Sequence, residues 1–378
     1  MNIVIDIRSL TEKKRTGVGE YTYELLDAIF SQDSANNYIL FFNSLKKNEV
    51  DFSFVNYHNV FLIKTNWPNK LLNLFILLKF IKLDLFVAKY FYKIYKKQIE
   101  KIDYWFSPNL NFLNLSEHVK TILTIHDLSF EFLPHCFSKK MLLWHKLINP
   151  KRHCHQAHLI FTPSLNTKND LVEMYHCNPN FVKVLYPGIS KNFLDNLDKS
   201  IDVSYLKNKY NLPENFIFFL GTLEPRKNIL SIIQAYSNSN LINKKINLVI
   251  AGNRGWKYEK IIKSIDETRG VHYIGYVDAL DKPALYKLSK LFLYPSLYEG
   301  FGFPVLEAMI SGVSVVTSNR SSLLEIVDNN VVLVNPHNVA ELKEAMKKNL
   351  HRQNKYDKNF LLENFDWDKT AKEFLQNL

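Results

Sequence analysis

The amino-acid sequence predicts an α/β protein made of two doubly wound domains, each built on a parallel sheet. The length of 378 residues suits two domains rather than one. Short apolar runs typical of buried strands recur along the chain, and polar turns followed by helical apolar patterns separate most of them. Because strands that alternate with helices form parallel sheets through crossover connections, both halves of the chain favour this class.

The first domain is predicted to span residues 1–190. It opens with an apolar run at 3–7, a loop that ends with Gly17 and Gly19, and an amphipathic stretch. This order of strand, glycine loop and helix is typical of a doubly wound domain. Further strands of the first domain are predicted at 38–42, 60–64, 121–125, 157–162 and 182–186.

The second domain is predicted to span residues 191–362, after a joint near Gly188. Its strand-like apolar runs are 216–223, 246–252, 271–277, 290–296, 313–318 and 329–335. Residues 363–378 are predicted to form a C-terminal helix that packs back on the first domain. In this arrangement the carboxyl ends of both sheets would face a ligand cleft between the domains.

Composition narrows the class of partner. Lys and Arg number 48 against 37 Asp and Glu, a net charge of +11, which favours an anionic partner: nucleic acid, a phosphorylated metabolite or an acidic membrane. No nucleic-acid-binding motif is present. Cys136, Cys154 and Cys177 are too few for a disulfide framework, no signal-peptide pattern opens the chain, and no apolar run reaches 18 residues. A cytoplasmic location is therefore expected.

Residues 70–101 concentrate the positive charge. Eight lysines there face only Asp84 and Glu100, and they alternate with leucine and aromatic residues. The pattern indicates either a pair of basic amphipathic helices that lie on an anionic membrane surface, or lysine-rich helices that pack on their own domain. Both interpretations remain open from the sequence.

A glycine-rich segment in the second domain, "YEGFGFPVLEAM", carries two carboxylates. Glu299 stands at a turn where Gly300 and Gly302 allow close backbone approach, and Glu307 is expected in the first turn of the helix that follows. Open N–H groups at a helix start attract a diphosphate, and carboxylates accept hydrogen bonds from sugar hydroxyls, which together favour a nucleotide-sugar site. The alternative is that Glu307 only complements the helix dipole.

Two other segments carry candidate chemistry. In "GTLEPRKN", Arg226 and Lys227 follow a strand, where they can neutralise a diphosphate as it leaves; the alternative is a surface ion-pair loop. In "TILTIHDLSF", His126 and Asp127 also follow a strand. A histidine there can donate to a sugar hydroxyl, although such a pair is more often structural.

These segments together resemble the retaining glycosyltransferases of family 4, which have the GT-B fold of two Rossmann-like domains. The resemblance implies that Glu299 holds the hydroxyls of the donor sugar, that Glu307 holds the ribose, and that Lys227 and Arg226 bind the diphosphate. Many members carry an arginine where this chain has Thr222. The backbone that would line the sugar and diphosphate is that of Gly300, Phe301, Gly302 and Phe303.

The resemblance also assigns residues of the first domain. It places His126 near the donor hexose, and Gly17 and Gly19 near the β-phosphate and the acceptor. Together with Glu299 and Lys227, His126 is then a predicted catalytic residue.

The function that the resemblance implies is transfer of a hexose from a nucleoside diphosphate sugar with retention of configuration, without a metal ion or other cofactor. The motifs look most like mannosyltransferases of bacterial surface polysaccharide assembly. They imply GDP-mannose as donor and a lipid-linked saccharide as acceptor, at the inner face of the plasma membrane. The alternatives are a UDP-hexose donor and a non-catalytic basic protein that binds membranes.

Three other patterns suggest chemistry but have simpler explanations. Asp366, Trp367 and Asp368 have the D-x-D form of a metal-binding motif, but Asp366 is better placed to cap a final helix. The histidines and cysteines between residues 135 and 158 match no zinc spacing, so no metal site is predicted. Gly188 is interpreted as a hinge.

Overall fold

The computed structural model of the protein describes residues 1–10, 17–45, 53–200, 202–350 and 355–378. The chain divides into two compact units. The first unit comprises Met1–Asp127, Trp144–Gly188 and Asp366–Leu378, and the second unit comprises Leu128–Leu143 and Ile189–Phe365. Each unit contains one parallel sheet with packed helices, so the predicted fold class is confirmed.

The strands of the described residues are β1 (Asn2–Asp6), β2 (Asn37–Asn43), β3 (Val60–Thr65), β4 (Tyr104–Ser107), β5 (Lys120–Thr124), β6 (Leu159–Thr162), β7 (Val182–Val184), β8 (Phe216–Leu220), β9 (Asn247–Ala251), β10 (Val271–Gly275), β11 (Leu291–Tyr294), β12 (Val315–Ser318) and β13 (Val332–Val334). The helices are α1 (Gly17–Gln32), α2 (Asn69–Leu77), α3 (Leu83–Tyr95), α4 (Ser129–Phe132), α5 (Lys139–Ile148), α6 (Pro150–Gln156), α7 (Leu165–Tyr175), α8 (Lys191–Leu197), α9 (Val203–Tyr210), α10 (Ile229–Ser237), α11 (Glu259–Glu267), α12 (Lys282–Leu288), α13 (Phe303–Ile310), α14 (Leu323–Ile326), α15 (Val339–Asn349), α16 (Lys358–Asn364) and α17 (Trp367–Gln376).

The first sheet has the strand order β3-β2-β1-β4-β5-β6-β7, and all neighbouring strands are parallel. Six of these strands lie where the sequence predicts them. The seventh, β4, was not predicted, although it pairs with β1 in the middle of the sheet. Its four residues are all buried, so it is a short central strand without the alternation of apolar and polar residues that marks a half-exposed one.

The second sheet has the strand order β10-β9-β8-β11-β12-β13 and is also parallel throughout. All six strands are predicted from the sequence, and each is shorter than the apolar run that predicts it. The direction of winding reverses between β8 and β11. In doubly wound sheets, ligands bind at the carboxyl ends of the strands next to such a reversal, so the loops after β8 and β11 are the place to look for a site.

Three segments are grouped differently from the predicted domain boundaries. Residues 189–190 and 363–365, which lie next to the predicted boundaries, belong to the second unit. Residues 128–143 fall inside the predicted first domain of 1–190, yet they also belong to the second unit. The indole N–H of Trp256 donates to the carbonyl of Cys136 at 2.8 Å, and the ring of Phe137 stacks on Trp256 at 5.5 Å. These contacts hold residues 128–143 against the loop between β9 and α11.

The predicted glycine loop near the N-terminus differs from the observed structure. Helix α1 already includes Gly17, so Gly17 and Gly19 lie in its first turn rather than in a loop. Residues 11–16, which belong to the predicted loop, lie outside the described residues.

The C-terminal helix α17 belongs to the first unit, where it packs on α1. The side chain of Asp366 accepts a hydrogen bond from the Lys369 N–H at 2.8 Å, so its predicted role as a helix cap is confirmed. The Tyr21 and Trp367 rings meet edge to face at 5.5 Å.

Gly188, interpreted as a hinge, lies against the start of α17. A Cβ at Gly188 would lie 2.3 Å from the backbone nitrogen of Trp367.

Replacing Gly188 by Ala is expected to lower the free energy of unfolding of the first unit by about 1–3 kcal/mol, because the new methyl group overpacks a backbone contact. Urea-induced unfolding followed by circular dichroism measures this loss. Gly17→Ala is the matched control, since a Cβ there meets no atom within 4 Å. An equal loss in the two variants would contradict the close approach.

Candidate active site

Two loops meet at the carboxyl edge of the second sheet. One follows β8 and contains the short turn Pro225–Lys227; the other follows β11 and leads into α13. The Leu297 N–H donates to the Arg226 carbonyl at 2.9 Å, which joins the two loops through their backbones. The predicted segments "GTLEPRKN" and "YEGFGFPVLEAM" are therefore brought together at the reversal in strand order.

Four charged side chains from these loops form a group that we name the Glu299 cluster: Glu224, Arg226, Lys227 and Glu299. The Glu299 carboxylate binds both cations, with Oε1 2.6 Å from Lys227 Nζ and Oε2 2.8 Å from Arg226 Nη1. The other end of the guanidinium, Nη2, lies 2.7 Å from Glu224 Oε1. Arg226 Nη1 also donates to the Tyr298 carbonyl at 2.7 Å. The alternative of a surface ion-pair loop is wrong, because Glu224, Lys227 and Glu299 are all buried.

Burial and mutual charge set the ionisation of this cluster. Burial alone would raise the pKa of Glu299, but Arg226 and Lys227 outweigh it and lower that pKa from 4.5 to about 2. Burial, with the nearby charge of Arg226, lowers the pKa of Lys227. The carboxylate of Glu299 is thus ionised at neutral pH, and its charge compensates the two cations.

Tyr294 is a member of the site that the sequence interpretation missed. Its hydroxyl accepts a hydrogen bond from Lys227 Nζ at 2.7 Å, and the same ammonium lies 5.0 Å from the centre of the tyrosine ring. Burial, followed by the charge of Glu299, raises the pKa of the phenol well above its ordinary value. Within the described residues, Lys227 uses two of its three N–H bonds, on Tyr294 and Glu299, which leaves one for a ligand.

The backbone of the glycine-rich turn is fixed by two serines. The Glu299 N–H donates to Ser321 Oγ at 2.9 Å, and Ser322 Oγ donates to the carbonyls of Glu299 and Phe301 at 2.9 and 2.8 Å. Gly302 has φ +122, and a Cβ there would lie 2.7 Å from the side chain of Leu323. The predicted backbone segment from Gly300 to Phe303, the first residue of α13, is therefore held in one conformation.

Glu307 lies in a different position from the one predicted. Because α13 begins at Phe303, Glu307 is its fifth residue and stands in the second turn rather than the first. The alternative that it only complements the helix dipole is therefore wrong, since that effect fades beyond the first turn. Its carboxylate is buried and is held by the Tyr286 hydroxyl at 2.8 Å and by Lys282 Nζ at 3.2 Å, both from α12.

His126 belongs to the first unit, two residues after β5. Its Nε2 lies 2.8 Å from the carbonyl of Pro108, and the ring of Tyr21 meets it edge to face at 4.8 Å. Burial lowers the pKa of the imidazole, so the neutral form predominates at pH 7. A carbonyl only accepts, so Nε2 carries the proton and Nδ1 is the acceptor. The sequence interpretation has this histidine donate a hydrogen bond to a sugar hydroxyl. In this tautomer, Nδ1 could only accept a hydrogen bond from such a hydroxyl.

The basic segment 70–101 forms two helices, α2 and α3, in the first unit. One face packs into its own domain through Leu72, Ile76, Leu83, Val87 and Phe91. A second apolar set is exposed beside the lysines: Leu71, Leu74, Leu77, Leu78, Phe80, Leu85, Tyr92 and Ile94. Asp84 is buried and receives the Ser116 N–H at 3.0 Å, so it does not offset the surface lysines. The structure therefore has helices that pack on their own domain and still carry a basic, apolar outer face.

No group of three or more His, Cys, Asp or Glu side chains in the part of the chain that the structure describes is arranged to hold a metal ion. No described helix combines the length and the apolar character needed to cross a bilayer.

Replacing Glu299 by Gln is expected to destabilise the second unit at neutral pH by about 3–5 kcal/mol, because the buried ammonium of Lys227 loses its counter-ion and the guanidinium of Arg226 keeps only Glu224. The pKa of Glu299 is lowered to about 2 on folding, so its charge stabilises the folded state fully above about pH 4.5 and loses this effect as the pH falls towards 2. The difference between wild type and variant in urea unfolding should therefore shrink between about pH 5 and about pH 3.

Glu259→Gln is the matched control, because Glu259 is an exposed carboxylate of the same unit. Its free energy of unfolding should equal that of the wild type at both pH values. A Glu299→Gln penalty that does not change with pH would show that the charge of this carboxylate is not what stabilises the cluster.

Comparison with known proteins relates part of the chain to a protein family. Residues 204–360 match the family described as Glycosyl transferases group 1. The chain is 29% identical over 240 residues to O-antigen chain mannosyltransferase B of Escherichia coli, with 61% of each protein covered. It is 34% identical over 203 residues to serotype-specific mannosyltransferase WbdA of Escherichia coli, with 52% of this chain and 25% of that protein covered. The matches thus span less than two thirds of these relatives' own length.

Solved structures show the same fold over the whole chain. The structure of Anabaena Alr3699/HepE in complex with UDP-glucose has a TM-score of 0.71 with this chain at 16% identity, and all of both chains is covered. The structure of WaaG, a glycosyltransferase involved in lipopolysaccharide biosynthesis, has a TM-score of 0.62 at 14% identity. The predicted GT-B fold is confirmed by these neighbours. The chain has the GT-B fold, and its residues 204–360 match the Glycosyl transferases group 1 family.

Proposed function

We propose that this protein is a retaining glycosyltransferase that transfers mannose from GDP-mannose to a lipid-linked or oligosaccharide acceptor of a cell-surface polysaccharide. The observation that carries the proposal is the Glu299 cluster. It places the buried carboxylate of Glu299 beside two cations, on adjacent loops of a GT-B fold. The matched relatives named as mannosyltransferases support mannose as the sugar. A UDP-hexose donor is the second candidate, since selectivity for the base rests on side chains that the motifs do not assign.

The chemistry proposed for the site is a same-face displacement assisted by the leaving group. The bond between the sugar C1 and the phosphate oxygen breaks, and its electron pair stays on the diphosphate. The acceptor hydroxyl forms the new bond to C1 on that same face, and its proton passes to the departing phosphate oxygen. The N–H bond of Lys227 that has no acceptor in the described residues would stabilise the charge that grows on the diphosphate, and Arg226 would add to the local positive potential.

The remaining residues orient the donor in this proposal. Glu299 would accept hydrogen bonds from the sugar hydroxyls through lone pairs that its two cations leave open, and Glu307 would do the same for the ribose. His126, with Nδ1 as acceptor, would receive a hydroxyl of the hexose. The proposed step uses no metal ion, because the remaining N–H bond of Lys227 would stabilise the leaving diphosphate directly.

Glu299→Gln is expected to lower kcat/KM for mannose transfer from GDP-mannose by at least about a hundredfold, since the variant loses the anionic acceptor for the sugar hydroxyls. Transfer of radiolabelled sugar to a lipid-extract acceptor measures this, with the folded fraction of each sample fixed by circular dichroism. Glu259→Gln, the exposed control, should transfer at the wild-type rate. Unchanged turnover in Glu299→Gln would remove the proposed site, and wild-type transfer from UDP-glucose but not GDP-mannose would overturn the donor.

We also propose that the basic segment 70–101 binds the anionic inner face of the plasma membrane, which would bring the enzyme to a lipid-linked acceptor. The exposed apolar side chains support this, because lysines next to exposed leucine and phenylalanine side chains match the headgroups and upper acyl chains of a bilayer. Phe80, between α2 and α3, is 76% exposed and is the most prominent of them.

Replacing four lysines of α3 and its C-terminal flank by Gln is expected to weaken binding to vesicles with anionic phospholipid by at least about tenfold, while donor affinity is unchanged. The lysines are Lys89, Lys93, Lys96 and Lys97. The control removes four exposed lysines of the second unit, namely Lys260, Lys263, Lys347 and Lys348, and should keep vesicle binding. Vesicle co-sedimentation measures both. Loss of donor affinity in the first variant would instead assign those lysines to the donor site.

A further inference from the structure

A lysine and a tyrosine contribute to holding each of the carboxylates Glu299 and Glu307. Glu299 is bound by Arg226 and by Lys227, and Lys227 is anchored on the hydroxyl of Tyr294. Glu307 is bound directly by two side chains of α12, those of Lys282 and Tyr286. Lys282 and Tyr286 belong to α12, whereas Lys227 ends the turn that follows β8 and Tyr294 ends β11, so different elements hold the two carboxylates.

Tyr286 is rigidly placed beside Glu307. Its side chain is fully buried, and its ring packs against Phe193, Phe218 and Phe292 at 6.1, 5.6 and 5.1 Å. Close packing on these sides prevents a change of rotamer, so the hydroxyl fixes Oε2 of Glu307 at 2.8 Å. A carboxylate whose orientation is fixed in this way presents its oxygens to a ligand hydroxyl in a defined direction.

Tyr294 is placed with similar rigidity beside the Glu299 cluster. Its ring stacks between Phe219 and Phe292, at 5.8 and 5.9 Å with interplanar angles of 18° and 17°. The lysine side chain is long and has many rotamers, and the phenol oxygen at 2.7 Å selects one of them. Through the ammonium of Lys227, Tyr294 therefore determines where Oε1 of Glu299 lies.

We propose that Tyr286 and Tyr294 are positioning residues with separate tasks: Tyr286 sets the affinity for the ribose through Glu307, and Tyr294 sets the rate of sugar transfer through Lys227 and Glu299. The proposal rests on the proposed function. Both tyrosines act through another side chain, and their loss should change what that side chain does rather than whether the protein folds.

The test replaces each tyrosine by phenylalanine, which keeps the packed ring and removes only the hydroxyl. Binding of GDP and of 2′,3′-dideoxy-GDP, which lacks both ribose hydroxyls, is measured by titration calorimetry, and kcat is measured with GDP-mannose. If the wild type uses a UDP-sugar, UDP and 2′,3′-dideoxy-UDP replace the guanine pair. The ratio of the two dissociation constants reports the ribose contact and does not depend on the folded fraction or on turnover.

Tyr286→Phe is expected to reduce the preference for the ribose form by about tenfold, because the Glu307 carboxylate loses its fixed orientation, and to change kcat by less than about twofold. Tyr294→Phe is expected to leave that preference as in the wild type and to lower kcat by about tenfold or more. The two variants should thus change different quantities.

Tyr236→Phe is the matched control. Tyr236 is a buried tyrosine of the same unit whose hydroxyl donates to the Ile246 carbonyl at 2.8 Å, away from both carboxylates. It should keep both the ribose preference and kcat.

Three results would overturn the inference: an unchanged ribose preference in Tyr286→Phe, an unchanged kcat in Tyr294→Phe, or the same pair of changes in both variants. Failure of the proposed function is recognised separately, since the wild type would then bind neither diphosphate and transfer neither sugar, and the inference would fall with it.

Discussion

The second unit depends on the ion pairs that Glu299 forms with the buried Lys227 and the half-buried Arg226. Lys227 and Arg226 follow β8, while Glu299 follows β11, so the ion pairs can form only if these two neighbouring strands end at the same level. Burying an unpaired ammonium or guanidinium would cost several kcal/mol, which makes the contact between the loops obligatory rather than incidental. The hydrogen bond between Leu297 and Arg226, together with the serines at 321 and 322, then fixes the backbone on which this contact depends.

The arrangement of helices follows from the same constraint. Once the loop after β11 is fixed, α13 must begin at Phe303, and Glu307 is directed towards α12. Lys282 and Tyr286 are four residues apart on α12 and therefore lie on one face of it, which is the face that receives the carboxylate. The spacing of the two glutamates thus places each of them in a separate polar environment, one formed by the loops and the other by a neighbouring helix.

Much of the fold was predictable because the strands of a parallel sheet are continuous apolar runs, and all six strands of the second sheet show this signal. The strand β4 has only four residues and no flanking pattern, so local sequence does not distinguish it from a loop. The charged members of the site were predictable from motifs. Tyr286 and Tyr294 were not, because each lies in an apolar run where an aromatic residue is expected for packing, and only the tertiary structure shows which hydroxyl meets a charged group.

The net charge of the chain does not explain how the site would attract a diphosphate. Two carboxylates balance two cations in the Glu299 cluster, so its formal charge is zero, while the excess of lysine is concentrated in the segment 70–101 of the first unit. A neutral cluster gives little long-range attraction, so its effect on a diphosphate would have to come from N–H bonds such as the third one of Lys227, which the cluster already orients. The surface lysines attract any anionic surface over a Debye length of about 8 Å. Overall charge and local preorganisation are therefore separate properties of this chain, with separate tasks.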